Sequence, residues 1–289
     1  MQYRALVNLL VIGGTGFLGR RITRRAQLAG YDVIATFHAD VPSAANVEWR
    51  KLDIRHRDDV RKLALQVRPD VVVNAAYRQS DWETTADGSV HVALAAAVVG
   101  ARLVHVSSDA VFSGAASSYD ETCQPDPVTP YGAAKAAAET AVRGIAPDAV
   151  IARTSLIIGD GDSVHEKLVH ALVAGDVAGT LFTDEVRRPV YVGDLAAALL
   201  ELGASPHAGV CHVAGPDDIS RYELGLLIAA RDGLDPAAIP AGVRSASGRA
   251  GGARVRLDST WTQARLTTRL RGAREFLAPT AKPDSAQQP

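Results

Sequence analysis

Lysine is nearly absent from this chain: of its 31 basic residues only Lys51, Lys62, Lys135, Lys167 and Lys282 are lysine. A basic excess is missing too. With a formal net charge of −1 the chain lacks the surplus that nucleic-acid binders use to neutralise phosphates, so no nucleic-acid partner is expected. There are two cysteines, Cys123 and Cys211, far apart and without CxxC spacing or a set of companion histidines. That excludes a disulfide framework and a zinc site, leaves two buried, inert thiols, and predicts no metal. The apolar runs fall well short of the roughly 20 residues a membrane span needs. The segment "NLLVIGG" (8–14) leads into a glycine turn, not a small-residue cleavage site, so it reads as a buried strand and not as a signal sequence. No membrane partner and a cytoplasmic location are expected.

What is present is an ordinary globular composition, 47% hydrophobic and 22% charged over 289 residues, enough for one large α/β unit with a smaller lobe. Short apolar runs at 9–13, 32–37, 47–53, 70–76, 102–108 and 149–154 alternate in the first half with helical patterns at 17–30, 57–67 and 89–100. Runs apolar throughout suit strands covered on both faces, and their alternation with helices predicts a doubly wound parallel sheet of Rossmann type. Later helical patterns fall at 163–174, 193–203 and 220–231, with a strand at 210–215 and a long Gly/Pro/Ser-rich loop at 236–253. The expected division is 1–155, mainly a dinucleotide-binding domain, then 156–277, completing the sheet and forming a small C-terminal α/β substrate lobe. A disordered tail follows at 278–289.

"VIGGTGFLGRR" (11–21) carries Gly13, Gly16 and Gly19 in GxxGxxG spacing directly after the first strand and at the start of a helix. Glycine there turns the chain tightly, lets the backbone approach a pyrophosphate, and allows close helix–sheet packing. The helix N-terminus offers free N–H groups to the phosphates. Gly13, Thr15, Gly16, Phe17, Leu18, Gly19 and Arg20 are therefore the candidate dinucleotide contacts. The second strand ends Ala35-Thr36-Phe37-His38 with no acid before Asp40, where an NAD-binding site would place a carboxylate for the ribose 2′-OH. With Arg20 and Arg21 close by, this favours NADP(H), with NAD(H) still possible and solvated arginines the alternative reading. Thr36 and His38 would lie along the adenosine, and Asp53 with Ile54 would face the adenine. Capping of the next helix is the plainer role for Asp53.

Ser108 ends the fifth strand in "HVSSDAVFSG" (105–114), and Tyr131 and Lys135 follow in "TPYGAAK" (129–135). Thr129 caps the helix, Pro130 fits its first turn, and Tyr131 and Lys135 share one face at i, i+4. A YxxxK arises by chance roughly one time in eight in such a chain, so its place after the glycine loop and Ser108 carries the weight. This set suits carbonyl reduction. Ser108 would hold the carbonyl oxygen and Tyr131 would donate the proton. The ammonium of Lys135 would lower the phenol's pKa from about 10 and hold the nicotinamide ribose.

Together "GGTGFLG", "NAAYRQSDW" (74–82), "SSDAVFSG", "YGAAK", "RRPVYVGDLAAALLEL" (187–202) and "GPDDISRYELGLLIA" (215–229) resemble the extended short-chain dehydrogenase/reductase family, nearest its dTDP-4-dehydrorhamnose reductase branch. The resemblance implies NAD(P)H-dependent reduction of a 4-keto-6-deoxy sugar nucleotide. It also implies catalytic roles for Ser108, Tyr131 and Lys135, and a place along the cofactor for Asn74, Ala75 and Ala76. Asp109 belongs to the same motif as Ser108. Leu156 departs from the aromatic residue the branch tends to carry there. The helix at 84–99 lacks an asparagine found in many relatives, with Thr85 or His91 nearest.

On the substrate side, Gln79 and Trp82 are pocket candidates, and Arg78 reads equally as pocket or surface. Arg153 and Arg188 are candidates for a diphosphate because guanidinium forks match phosphate oxygens, while Arg187 reads as solvated. Tyr191 and Asp194 would position a strand–helix link, and His91, His105 and His212 read as core histidines. The expected partner is a small keto substrate, with a homodimer possible. Two rivals remain: a reductase of a non-nucleotide secondary-metabolism ketone, motivated by Leu156 and the "AYRQSDW" loop, and a cofactor-binding regulatory subunit without catalysis.

Overall fold

The run Asn8–Ile12 is apolar on both sides of its pleat, and both sides are covered: Leu9 and Val11 pack into one cluster, Leu10 and Ile12 into another. It forms β1, an interior strand of a seven-stranded sheet in the computed structural model, which describes residues 7–39, 47–248 and 251–279. The remaining strands are β2 (Asp32–Phe37), β3 (Glu48–Lys51), β4 (Val71–Asn74), β5 (Arg102–Ser108), β6 (Val150–Thr154) and β7 (Gly209–Val213). All pair in parallel, in the spatial order 3-2-1-4-5-6-7. The order reverses between β1 and β4. In open α/β sheets the ligand crevice lies there, beyond the strands' carboxyl ends.

Helices α1 (Phe17–Leu28) and α6 (Val192–Ala204) cover one face through Leu18, Ile22, Leu195 and Leu199. On the other lie α2 (Arg57–Val67), α3 (Gly88–Val99) and α4 (Pro130–Ile145), contributing Val60, Leu63, Val92 and Val142. The architecture is the doubly wound sheet that the alternating pattern predicts. Beyond residue 155 the chain divides. Helix α6 and strand β7 return to the sheet, whereas α5 (Val164–Ala174) and α7 (Arg221–Asp232) pack around Leu181, Ile219, Ile239 and Leu277 in a cluster of their own.

Segment 236–253 is not the plain loop its composition suggests. Ala241–Gly242 pairs with Leu181–Phe182, and single 3₁₀ turns form at Pro236–Ala238 and Arg244–Ala246. Asp40 and the predicted tail from Thr280 onward lie outside the described residues.

Below the carboxyl end of β5 and β6 lies a buried ion pair. Glu139 of α4 and Arg153 of β6 are 0% and 1% exposed, with Arg153 Nε and Nη2 donating to the carboxylate at 3.0 and 2.8 Å. Ser107 Oγ donates to the same carboxylate, and Arg153 Nη1 to the Cys123 carbonyl. Arg153 is thus fully occupied within the protein, and the expectation that it binds a substrate diphosphate does not hold. Breaking such a pair from one side strands a charge in a dry interior. Arg153→Met is expected to lower the unfolding free energy by about 3–5 kcal/mol, and the Arg153→Met/Glu139→Leu double variant by less than the single, as read from urea denaturation curves.

Candidate active site

The glycine loop is shaped by contacts that leave no room for a side chain. Gly13 has φ +81°, and a Cβ on it would lie 2.8 Å from the Ala76 amide nitrogen. A Cβ on Gly19 would fall 2.1 Å from the Gly13 carbonyl oxygen, so α1 starts against the loop itself. Helix α1 begins at an N-cap glycine, Gly16, with no side-chain cap and no acid in its first turn. Its leading N–H groups are left for an anion, and this cradle fits the pyrophosphate of a nicotinamide dinucleotide. A bound dinucleotide would supply hydride chemistry here, held by the Gly16–Gly19 turn.

Thr36 does not face the adenosine as expected: its hydroxyl is buried and accepts from the Gly13 amide at 3.0 Å, so it braces the glycine turn. Ile54 is likewise a core residue, packed with the α2 and α3 side chains. Asn74 is buried under the sheet end beside Ser89 and His105, and its Oδ1 accepts from the Ala76 amide. It shapes the turn after β4 and does not line the cavity, whereas Ala75 does. Asp53 is held by Arg55 through Nε and Nη2, at 3.0 and 2.6 Å, with His38 Nε2 at 3.3 Å. Those bonds, chiefly that from Arg55, hold its carboxyl far below the usual range. Arg20 spans Thr15 and Asp162, and Arg21 pairs with Asp160.

One cavity of about 960 Å³ opens beyond the strand ends, lined by Gly16–Gly19, Ala75, Ser108, Tyr131 and Lys135 together with residues of α5 and α7. Ser108 reaches it because β5 ends there and its side chain caps the short turn Asp109–Val111. Helix α4 is seated by Thr129, whose hydroxyl accepts from the Gly132 amide at 3.1 Å. It approaches so closely that a Cβ on Gly132 would stand 2.0 Å from the Ala110 carbonyl oxygen.

Lys135 is 3% exposed, and its Nζ donates to the Val106 carbonyl at 2.9 Å. Burial depresses its pKa to about 8, with Glu139 one turn further on pulling it back up. The phenol of Tyr131 is shifted opposite to expectation: burial pushes it well above its usual range, Tyr77 adds to the rise, and a hydrogen bond with Ser108 opposes it. Lys135 is turned to Val106 instead of to the phenol, which is why the expected lowering fails. A phenol held protonated at neutral pH is an acid, and this suits proton delivery to a carbonyl oxygen.

On the substrate side the cavity is lined by Tyr77, Gln79, Ser80, Asp109 and Leu156, while Arg78 and Trp82 lie outside its lining. Tyr77 stands 5.8 Å from the Tyr131 ring centroid, and Lys135 Nζ lies 5.3 Å from the Tyr77 ring centre. The aromatic nearest the reacting groups is thus Tyr77, not Trp82. Asp109 accepts from Ser155 Oγ at 2.7 Å and lies 3.5 Å from Arg187 Nε. Arg187 and Arg188 exchange the places expected of them. Arg187 lines the cavity, and Arg188 is tied to Asp218 and the Leu257 carbonyl away from it. His165, Arg221, Arg244 and Glu185 complete the wall. They come from segments distant in sequence, and only Arg221 lies within a stretch that carries the resemblance, "GPDDISRYELGLLIA". Asp194 is bound to Arg271 at 2.9 Å. Among the described residues no group of His, Cys, Asp and Glu could hold a metal ion, and no helix is long and apolar enough to cross a membrane.

The chain is 31% identical over 243 residues to the spore coat polysaccharide biosynthesis protein SpsK of Bacillus subtilis (strain 168), covering 80% of this chain and 82% of that protein. It is 32% identical over 244 residues to a dTDP-4-dehydrorhamnose reductase of Mycolicibacterium smegmatis, covering 79% and 70%. A crystal structure of dTDP-4-dehydrorhamnose reductase from Bacillus anthracis str. Ames in complex with NADP shares the fold, at TM-score 0.81 and 22% identity over 94% of this chain and 97% of that one. The family model described as the RmlD substrate binding domain matches residues 7–281, and the chain belongs to that family.

Proposed function

We propose that this protein is an NAD(P)H-dependent carbonyl reductase whose substrate is a 4-keto-6-deoxy sugar nucleotide. The observation that carries the reading is the meeting of Ser108, Tyr131 and Lys135 with the Gly16–Gly19 turn on one cavity. Ser108 would orient the carbonyl oxygen and Tyr131 would donate a proton to it; a nicotinamide dinucleotide held at the Gly16–Gly19 turn would supply the hydride. Lys135, on the same cavity, would supply positive charge to the site and would hold the ribose of a bound cofactor. Sugar-nucleotide reduction is supported by the family and by the reductase among its relatives. NADP(H) preference rests on the absence of a carboxylate at 35–38 and on Arg20 after the last glycine of the turn.

A non-nucleotide ketone is the second reading, favoured by the aliphatic side chains of Leu156, Val164, Leu168 and Leu224 around the lobe end of the cavity. NADPH oxidation with dTDP-4-keto-6-deoxy sugars beside simple ketones separates the two, and turnover of ketones alone would overturn the sugar-nucleotide reading.

Tyr131→Phe is expected to lower kcat by about 10²–10⁴ with the cofactor's dissociation constant little changed, measured by stopped-flow NADPH oxidation and fluorescence titration. Because the pKa of Lys135 is depressed to about 8, its ammonium is present below that pH and lost above it. The rate of reduction is therefore expected to be flat from pH 6 to 7 and to fall above about 8. Lys135→Met should show low activity without that inflection. On cofactor choice, kcat/KM should favour NADPH over NADH, and Arg20→Glu should narrow or reverse the ratio.

A further inference from the structure

His165 has no role in the chemistry so far, yet it lines the substrate half of the cavity. A continuous polar wall connects it to the reacting end. Ser108 Oγ is 3.3 Å from Asp109, Arg187 Nε 3.5 Å from the same carboxylate, and Arg187 Nη2 3.6 Å from Glu185. Arg221 Nε donates to Glu185 at 3.2 Å, and Arg221 Nη1 stands 3.1 Å from His165 Nδ1.

That last contact fixes a proton. A guanidinium carries only donors, so Nδ1 of His165 must accept, and the ring hydrogen resides on Nε2. Burial and the adjacent Arg221 push the imidazole pKa down to about 3, against the opposing pull of Glu166, so the ring is neutral at neutral pH. Among the described residues no group accepts from Nε2.

Both partners are held firmly. Arg221 begins α7, and its amide donates to the Glu185 carbonyl at 2.9 Å. His165 is in the first turn of α5, closed by a capping box in which Ser163 and Glu166 satisfy each other's amides. Glu166 also takes bonds from the Gly159 and Gly161 amides and from Arg231.

The wall has a sign. Arg187, Arg221 and Arg244 lie 3.6, 3.2 and 3.3 Å from Glu185, and Asp109 is the other carboxylate on the wall. Among the groups lining the cavity three guanidiniums face two carboxylates, with Asp184 outside the lining also acting on Arg244, and such a donor-rich wall suits an acceptor-only, anionic group. The dinucleotide phosphates have their own cradle at α1, so this wall is left to the substrate.

We propose that His165 is a specificity-determining residue whose Nε2–H, oriented by Arg221, donates to a phosphate oxygen of the substrate's diphosphate. The inference rests on the sugar-nucleotide reading.

Calorimetric titration of the full chain, loaded with NADP⁺, with dTDP-glucose tests it. That ligand has no ketone at C4 to reduce, and its diphosphate does not ionise between pH 6 and 8.5. His165→Asn keeps an acceptor for Arg221 but has no group at the Nε2 position, and it should weaken binding by about tenfold or more. His165→Gln, whose amide reaches the Nε2 position, should recover most of the affinity. Wild-type affinity should be constant from pH 6 to 7.5, and with keto substrate the loss in His165→Asn should appear in KM and not in kcat.

Unchanged affinity in His165→Asn, or wild-type binding that weakens as pH rises through about 6.5 in the manner of a charged imidazole, overturns this inference alone. Failure of the wild type to bind either dTDP-glucose or UDP-glucose overturns both it and the sugar-nucleotide reading.

Discussion

The contact between α4 and the turn after β5 sets the position of everything reactive in this molecule. With glycine at position 132 the helix backbone lies against the Ala110 carbonyl, where a Cβ would fall 2.0 Å from the oxygen. From that seat one turn of helix carries Tyr131 to the cavity and Lys135 to the Val106 carbonyl of the neighbouring strand. Ser108, on the strand side of the same contact, needs no further device to meet them. The spacing of tyrosine and lysine therefore matters less than the closeness of the two backbones. A looser approach would leave both side chains in place along the helix but away from the serine.

Close packing of a charged lysine has to be compensated, and the buried layer beneath the site shows how. Glu139, four residues after Lys135, opposes the effect of burial on the ammonium while remaining bound to Arg153 and Ser107. The interior beneath the catalytic helix is thus polar but internally satisfied around the Glu139 carboxylate. The phenol, by contrast, receives little electrostatic help and stays a weak acid, protonated at neutral pH.

The elements legible in the sequence were those whose cause is local. β1, β2, β4, β5 and β6 are each built on a short apolar run, and α4 carries its own cap and proline, so each could be bounded from a few residues. The glycine turn was readable for the same reason. Side-chain partnerships across the fold were not. Thr36 looks like a residue at a strand end, and only the folded chain turns its hydroxyl to Gly13. Arg153 and Arg188 match phosphate chemistry as well as Arg187 and Arg221 do, but Glu139 and Asp218 had claimed them. A guanidinium's task depends on which carboxylate reaches it first, and nothing near it in sequence reports that. The direction of the Tyr131 shift escaped for a related reason: i, i+4 spacing puts Lys135 on the same face but leaves open which oxygen its ammonium meets.

The path of the chain after β6 has a mechanical consequence. It leaves the sheet near Ser155, re-enters at Val192, and leaves again after Val213, so several connections bridge the two apolar clusters. Two of them touch: at Gly215 a Cβ would lie 2.3 Å from the Pro189 carbonyl and 2.9 Å from that of Arg271. The two apolar clusters are therefore joined by neighbouring segments that pack against one another and not by independent tethers.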